Sequence, residues 1–245
     1  KWRAVIKTLQ IEIANLKVKT YLGTEVKEIR KNADGFKVVT PWESLECDKV
    51  VVATGGMSYP STGSTGDGYA FARAFGLKIV EPRQALVPII VKQNVSALQG
   101  ISLKNVNLCA IDENGKEIAS EFGEMLFTNR GLSGPIALTI SSYINRKQNV
   151  RLSLDLKPAL DENTLDKRIL RDFDERKNQD IKNVTRALLP ERLNAYVLKC
   201  ANIVESKKVN EITKQERAKL VETIKNLRFD VSSLAPFSEA IVTAG

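Results

Sequence analysis

Between Lys49 and Gly76 the chain reads KVVVATGGMSYPSTGSTGDGYAFARAFG, and these residue types suit the binding of a polar or anionic cofactor. Val50 to Ala53 predicts a buried strand that ends in the Thr54-Gly55-Gly56 turn. A loop rich in Ser, Thr and Gly follows. Thr65-Gly66-Asp67-Gly68 then predicts a second turn opening a helix with Tyr69, Phe71, Ala72 and Phe75. Glycine adopts positive φ without strain and lets a ligand approach the backbone closely. The free N–H groups of a helix start attract anionic or strongly polar atoms. The expected result is a shelf of bare amides around a cavity, with Thr54, Gly55, Gly56, Gly66 and Asp67 as cofactor-binding candidates. The plainer alternative is that tight turns in an α/β protein simply need glycine.

Asp67 is the one charged residue within that shelf loop, Thr54 to Gly68. A carboxylate at a helix start is stabilised by the free amides and can accept a hydrogen bond from a ligand hydroxyl. It can equally do no more than cap its own helix, an effect worth about 0.5–2 kcal/mol. Ser58 and Tyr59 are of interest because they sit inside the same loop. Histidine is absent from all 245 residues, which excludes a histidine base, a histidine metal ligand and a Ser-His-Asp triad within them. Cys47, Cys109 and Cys200 are far apart and form no CxxC pair, so a metal site is not expected and reduced thiols in a cytoplasmic protein are.

The elements that must position these residues can be read from periodicity. Val5, Leu9, Ile13 and Leu16 fall near helical spacing over residues 2–16. Thr24–Arg30 and Phe36–Thr40 flank the turn Asn32-Ala33-Asp34-Gly35 as a hairpin, and Glu43–Cys47 leads toward the shelf strand. Leu86–Val91 is apolar, Leu103–Ile111 is strand-like, and Val150–Leu156 alternates as a half-buried strand does. Beyond Pro158 the pattern turns helical, with Asn163 or Thr164 as a cap for Ile169, Leu170 and Phe173. Asn183–Leu189 and Glu191–Cys200 follow as helices. Thr213 with Glu216 forms a capping-box pattern ahead of Leu220, Ile224 and Leu227. Packing of a core explains this helical block better than partner binding.

Hydrophobic residues make up 43% of the chain, and no apolar run approaches the ~20 residues that cross a bilayer, so no membrane partner is expected. Thirty-seven basic against 29 acidic residues give a net charge of +8, which raises nucleic acid as a partner. The charge is spread, however: residues 1–80 carry 12 basic and 8 acidic side chains, and residues 161–228 carry 16 and 12. Acids are interleaved throughout and no Arg/aromatic ladder occurs. Solvated faces are therefore expected, without nucleic acid.

The pattern ATGG-x-SYP-x-x-GSTGDGY resembles bacterial BaiN/YhiN-like (aminoacetone oxidase family) FAD-dependent oxidoreductases. It is similar, more distantly, to fumarate reductase and aspartate oxidase flavoproteins. GEMLFTNRGLSGPIALTISSY from Gly123 to Tyr143, LLPERL from Leu188 and EAIVTAG from Glu239 carry the resemblance along the chain. It implies a small-molecule substrate, FAD as cofactor, with NAD(P)H or dioxygen as redox partner, and Asp67 against FAD. It also implies an α/β fold: a partial FAD/NAD(P)-binding, Rossmann-like domain interrupted by an inserted α+β domain, β-rich first and helical after. The expected segments are 1–80 for the FAD-binding part, 81–160 and 161–228 for the insert, and 229–245 for a return to the FAD domain. No strand–GxGxxG–helix unit for the ADP moiety occurs in these residues, so a fragment of a longer flavoenzyme is expected.

The resemblance further places Asn129 and Arg130 above the flavin on the substrate side, where Arg130 could hold an anion. The alternative for Arg130 is an exposed position in the turn that starts a Pro135–Tyr143 helix. The family often carries a histidine after LFT where this chain has Asn129, so no catalytic residue is assigned. A non-catalytic folded insert, unable to hold FAD by itself, is the competing functional reading.

Overall fold

The structure is a computed structural model that describes residues 2–245, with the backbone alone at Trp2. The chain divides into two compact units. One comprises the residues up to Ala53 together with Gly68–Leu77. It holds helix α1 (Trp2–Asn15) and a three-stranded antiparallel meander of β1 (Glu28–Lys31), β2 (Phe36–Val39) and β3 (Ser44–Cys47). Ile29 faces Val38 and Phe36 faces Cys47 in the register. The expected turn is present, with the Asn32 N–H donating to the Gly35 carbonyl at 2.9 Å. The Phe36 ring meets Phe75 edge-on at 6.1 Å, just beyond the end of α2 (Asp67–Ala74).

The strand expected at Val50–Ala53 does not form, and Val51 is 88% exposed. An apolar run becomes a strand only when a neighbour takes up its backbone hydrogen bonds. None of the described residues offers one.

The second unit, Thr54–Asp67 with Lys78–Gly245, is built on a closed antiparallel barrel. Its strands are β5 (Ile89–Val91), β6 (Ser102–Ile111), β7 (Glu117–Phe127), β8 (Gly131–Ser133), β9 (Arg151–Asp155) and β10 (Leu227–Leu234). They run in the order β10-β5-β8-β7-β6-β9. The sequence pattern predicts the strands and says nothing of closure. Alternation does the packing: Leu152 and Leu154 of β9 point inward beside Leu108 of β6, while Arg151 stays in solvent. Helix α3 (Pro135–Ile144) lies on β7, burying Ile136, Ala137 and Ile140. A separate pair, β4 (Arg83–Ala85) and β11 (Val242–Ala244), joins the beginning and end of the Lys78–Gly245 segment.

Helices α4 (Glu162–Glu175), α5 (Ile181–Thr185), α6 (Glu191–Cys200) and α7 (Lys214–Lys225) pack Leu165, Ile169, Leu193, Val197, Leu220 and Ile224 into the same core as the barrel. The α4 cap is Asp161, whose carboxylate accepts from the Thr164 N–H at 2.7 Å, so Asn163 and Thr164 lie inside the helix. Aspartate wins because its oxygen reaches the N3 amide from an extended backbone. Leu227, expected on the last helix, belongs to β10, because Asn226 has left the helical conformation. Phe229 is likewise a barrel residue, opposite Leu152.

The capping box of α7 is complete. Thr213 Oγ1 accepts from the Glu216 N–H at 3.2 Å, and the Glu216 carboxylate accepts from the Thr213 N–H at 2.8 Å. Lys207 donates to both oxygens of Glu216, at 2.6 and 2.9 Å, and with the Thr213 amide holds this carboxyl below its usual range. A lowered carboxyl value stabilises the fold above the ordinary carboxylate range, and that share is lost as pH falls through the folded value. In urea unfolding, Glu216→Gln is expected to lower stability at pH 7 and leave it closer to wild type at pH 3. Equal losses at both pH values would show that the charge contributes nothing.

Candidate functional site

The shelf loop lies in the second unit and is tied down by a residue from the far end of the chain. Thr243 of β11 accepts from the Met57 N–H at 2.8 Å and the Ser58 N–H at 3.0 Å. Its hydroxyl also contacts Ser58 Oγ at 3.2 Å. A hydroxyl has two lone pairs and one proton. With both lone pairs taken by amides, the Thr243 proton goes to Ser58 Oγ, which leaves the Ser58 proton as an outward donor.

Two glycines permit this arrangement. Gly55 sits at φ 76°, where a side chain is strained. A Cβ on Gly56 would stand 2.6 Å from Thr243 Oγ1 and 2.7 Å from its Cβ. Threonine is stiff at χ1 and cannot swing aside, so Gly56 is required for the contact. Tyr59, at φ 54°, and the short helical turn Pro60–Thr62 carry the loop onward.

The bare amides expected from the sequence are thus divided. Those of Met57 and Ser58 belong to Thr243, whereas the N–H groups of Gly55, Gly56, Gly66 and Asp67 meet no acceptor among the described residues. Thr54, Gly55 and Asp67 are exposed, and Gly56 and Gly66 are half-buried. Asp67 is the first residue of α2, and its carboxylate accepts from Thr65 Oγ1 at 3.0 Å. That contact turns the carboxylate toward the loop preceding the helix. Its other oxygen remains available to a ligand hydroxyl.

Asn129 and Arg130 lie in a tight turn between β7 and β8, where the Thr128 N–H donates to the Gly131 carbonyl at 2.8 Å. The turn therefore leads into a strand, and α3 begins only after β8, at Pro135. The Arg130 guanidinium donates to Glu239 at 3.3 Å, with both side chains largely in solvent. Such a pair is worth about 0–1 kcal/mol, so an anionic ligand could displace Glu239 at little cost. Asn129 is exposed. Glu239 precedes Thr243 by four residues, a reach of at most ~14 Å. One short segment thus contacts both the Arg130 turn and the shelf.

Thr243 and Glu239 were not singled out among the sequence candidates. Both fall within EAIVTAG, one of the segments that carry the family resemblance, which was the available signal. Their roles rest on contacts with residues 186 and 109 positions away.

Residues 1–142 match the model of the HI0933-like protein Rossmann domain, and residues 83–242 match that of the HI0933-like protein barrel and H2TH domain. The chain belongs to the HI0933-like protein family. Its architecture is accordingly an α/β Rossmann-like region followed by an inserted barrel and helical region, as the motifs imply.

Among curated proteins, the chain is 30% identical over 251 residues to the ribosomal RNA dihydrouridine synthase of Haemophilus influenzae, covering 98% of this chain and 59% of that protein. It is 30% identical over 228 residues to the ribosomal RNA dihydrouridine synthase of Escherichia coli K12, covering 91% and 54%. It is 25% identical over 247 residues to the 3-dehydro-bile acid delta(4,6)-reductase of Clostridium scindens, covering 99% and 60%. The chain thus spans little more than half the length of these relatives. Among the described residues no helix is long and apolar enough to cross a membrane.

Proposed function

We propose that this chain works in an FAD-dependent reductase that saturates a carbon–carbon double bond conjugated to a carbonyl, with uridine in ribosomal RNA as substrate. The observation that carries this reading is the 30% identity, over nearly the whole chain, to two proteins named ribosomal RNA dihydrouridine synthase. Dihydrouridine differs from uridine by two hydrogens across C5=C6, a bond conjugated to the C4 carbonyl. A 3-keto steroid with double bonds at positions 4 and 6 likewise has carbon–carbon double bonds conjugated to a carbonyl. One reaction class therefore covers all three named relatives: a hydride to one carbon and a proton to its neighbour.

FAD, when bound, supplies the two-electron transfer, with a nicotinamide cofactor as the source of electrons. The unpaired amides of Gly55, Gly56, Gly66 and Asp67 suit its polar atoms, and the glycines leave room for close approach. Thr243 holds the loop that presents them, and Ser58 adds a hydroxyl donor. Asp67 accepts from a cofactor hydroxyl, and Arg130 gives up Glu239 for an anionic group of the substrate or the nicotinamide cofactor. The net charge of +8 suits RNA better than a steroid, which would need an apolar cleft. This reading departs from the small-molecule substrate that the resemblance implies and from the absence of nucleic acid expected from the spread of charge.

The test is the full-length protein incubated with unmodified ribosomal RNA and NAD(P)H, read by mass spectrometry for a uridine that gains two hydrogens. An absorption spectrum reports the flavin. Asp67→Ala is expected to lower bound FAD or to alter its spectrum. Absence of flavin even after FAD is added would sink the oxidoreductase reading. Reduction of a 3-keto steroid diene with none of uridine would move the substrate to the steroid class.

A further inference from the structure

On the side of the barrel where β4, β10 and the end of α3 meet, a cleft of about 380 Å³ opens to solvent. Arg83, Lys92 and Lys147 line it, and no carboxylate does. This composition is unusual for the chain, in which 29 acids offset 37 bases almost everywhere else. All three cations are exposed, and none forms an ion pair among the described residues. Between them stand neutral hydrogen-bonding groups, among them Asn145, Gln148 and Ser232. The Asn145 amide donates to the Gln84 carbonyl at 3.3 Å, which braces the wall.

A second cleft of about 330 Å³ shares Lys92, Asn149, Val150 and Val231 with the first and extends it to Arg151. Its two acids accept from neutral amides, Asp230 from Gln93 at 2.9 Å and Glu113 from Asn149 at 3.0 Å, so the positive character is concentrated in the first cleft. The C-terminus of α3 adds a partial negative charge of about half an electron, which three full positive charges outweigh. The two clefts together make a groove that carries four cations and two carboxylates, both carboxylates at the Arg151 end, with amide and hydroxyl groups between them.

We infer that this groove docks the sugar–phosphate backbone of the RNA substrate. The inference rests on the RNA reading proposed above and gives it a location. Cations without an internal carboxylate partner gain most from a phosphate, because no existing ion pair must be broken. The interspersed amides and hydroxyl match ribose and phosphate oxygens, the contacts that position RNA without reading its sequence. Two overlapping clefts suit a chain of phosphates better than a single anion. The groove fixes the register of the RNA on the barrel, leaving selection of the uridine to the flavin side.

Fluorescence anisotropy with a labelled ribosomal RNA hairpin and the flavin-loaded, full-length protein, between 50 and 200 mM salt, tests this. Arg83→Gln/Lys92→Gln/Lys147→Gln is expected to bind about tenfold or more weakly, and its plot of log affinity against log salt to flatten by about two, at ~0.7 per lost phosphate contact. Lys167→Gln/Lys177→Gln/Lys199→Gln, an equal loss of charge on the helical block, should bind as wild type does. Flavin absorbance and melting temperature confirm that the variants are folded. A groove variant with unchanged affinity and slope would overturn the groove and leave the RNA reading standing. Equal weakening in both triple variants would also overturn it, since only net charge would then matter. Wild-type protein that binds no RNA at any salt would remove the RNA reading and the groove together. Inorganic tripolyphosphate, titrated alone, separates the sources: tight binding to a protein that ignores RNA would reassign the groove to small polyphosphates.

Discussion

Thr243→Val should weaken FAD binding by the full-length protein at least about tenfold, while Thr243→Ser should keep most of it. Valine preserves the shape and the strand preference of threonine, so the pairing of β11 with β4 survives. What disappears is the acceptor shared by the Met57 and Ser58 amides and the donor to Ser58 Oγ. A partly buried amide left without an acceptor costs about 1–3 kcal/mol. The loop can avoid that cost only by moving, and it is the same loop that presents Gly55 and Gly56. Each 1.4 kcal/mol transferred to cofactor binding is about a factor of ten. Gly56→Ala should act in the same direction, since its Cβ would occupy the place of the Thr243 side chain. Flavin fluorescence titration reads both, and wild-type affinity in Thr243→Val would show that the loop needs no tether.

Phe229→Ala should cost about 3–5 kcal/mol of stability in urea unfolding, the range found for large aromatic residues in a core. Phe229 is 1% exposed on β10, the strand that closes the barrel between β5 and β9. Its ring meets Phe127 of β7 edge-on at 6.1 Å and stacks on Tyr196 of α6 at 6.4 Å. It therefore fills the barrel interior and joins that interior to the helical block. Removing it opens a cavity at a point where two layers meet and neither can collapse alone. Phe229→Leu refills part of that volume and should recover more than half of the loss. A cost below about 1 kcal/mol for the alanine variant would mean that the helices hold the barrel shut without this ring.

Local chemistry was legible in the sequence wherever a few neighbouring residues decide the outcome. Thr213 and Glu216 announce their capping box because both partners lie within one turn. Val150–Leu156 announces its strand because one buried face imposes a period of two. The cap of α4 shows the limit of that reading: Asp161, Asn163 and Thr164 all have capping side chains, and the backbone geometry selects Asp161. Barrel closure was not legible, since nothing in the Leu227–Leu234 pattern says that it will pair with both β5 and β9. The shelf motif located a loop without revealing which of its amides are spent internally. That depends on Thr243, 186 residues away. Val50–Ala53 has a strand's composition and no strand's partner, which composition cannot report.

The closed barrel has a consequence for how the chain is made. Its seam joins Gln93 to Asp230 across 137 residues of sequence. A ribosome adding about 5–20 residues per second needs on the order of ten seconds to cover that gap. During that interval β5 keeps one unpaired edge, and β9 does so from its own emergence onward. Unpaired edges recruit strands from other chains, so the nascent protein is most prone to aggregation just before its last barrel strand emerges. High contact order makes the final closure slow as well. Added chaperone during expression should therefore raise soluble yield, and an unchanged yield would show that the open edge is not exposed long enough to matter.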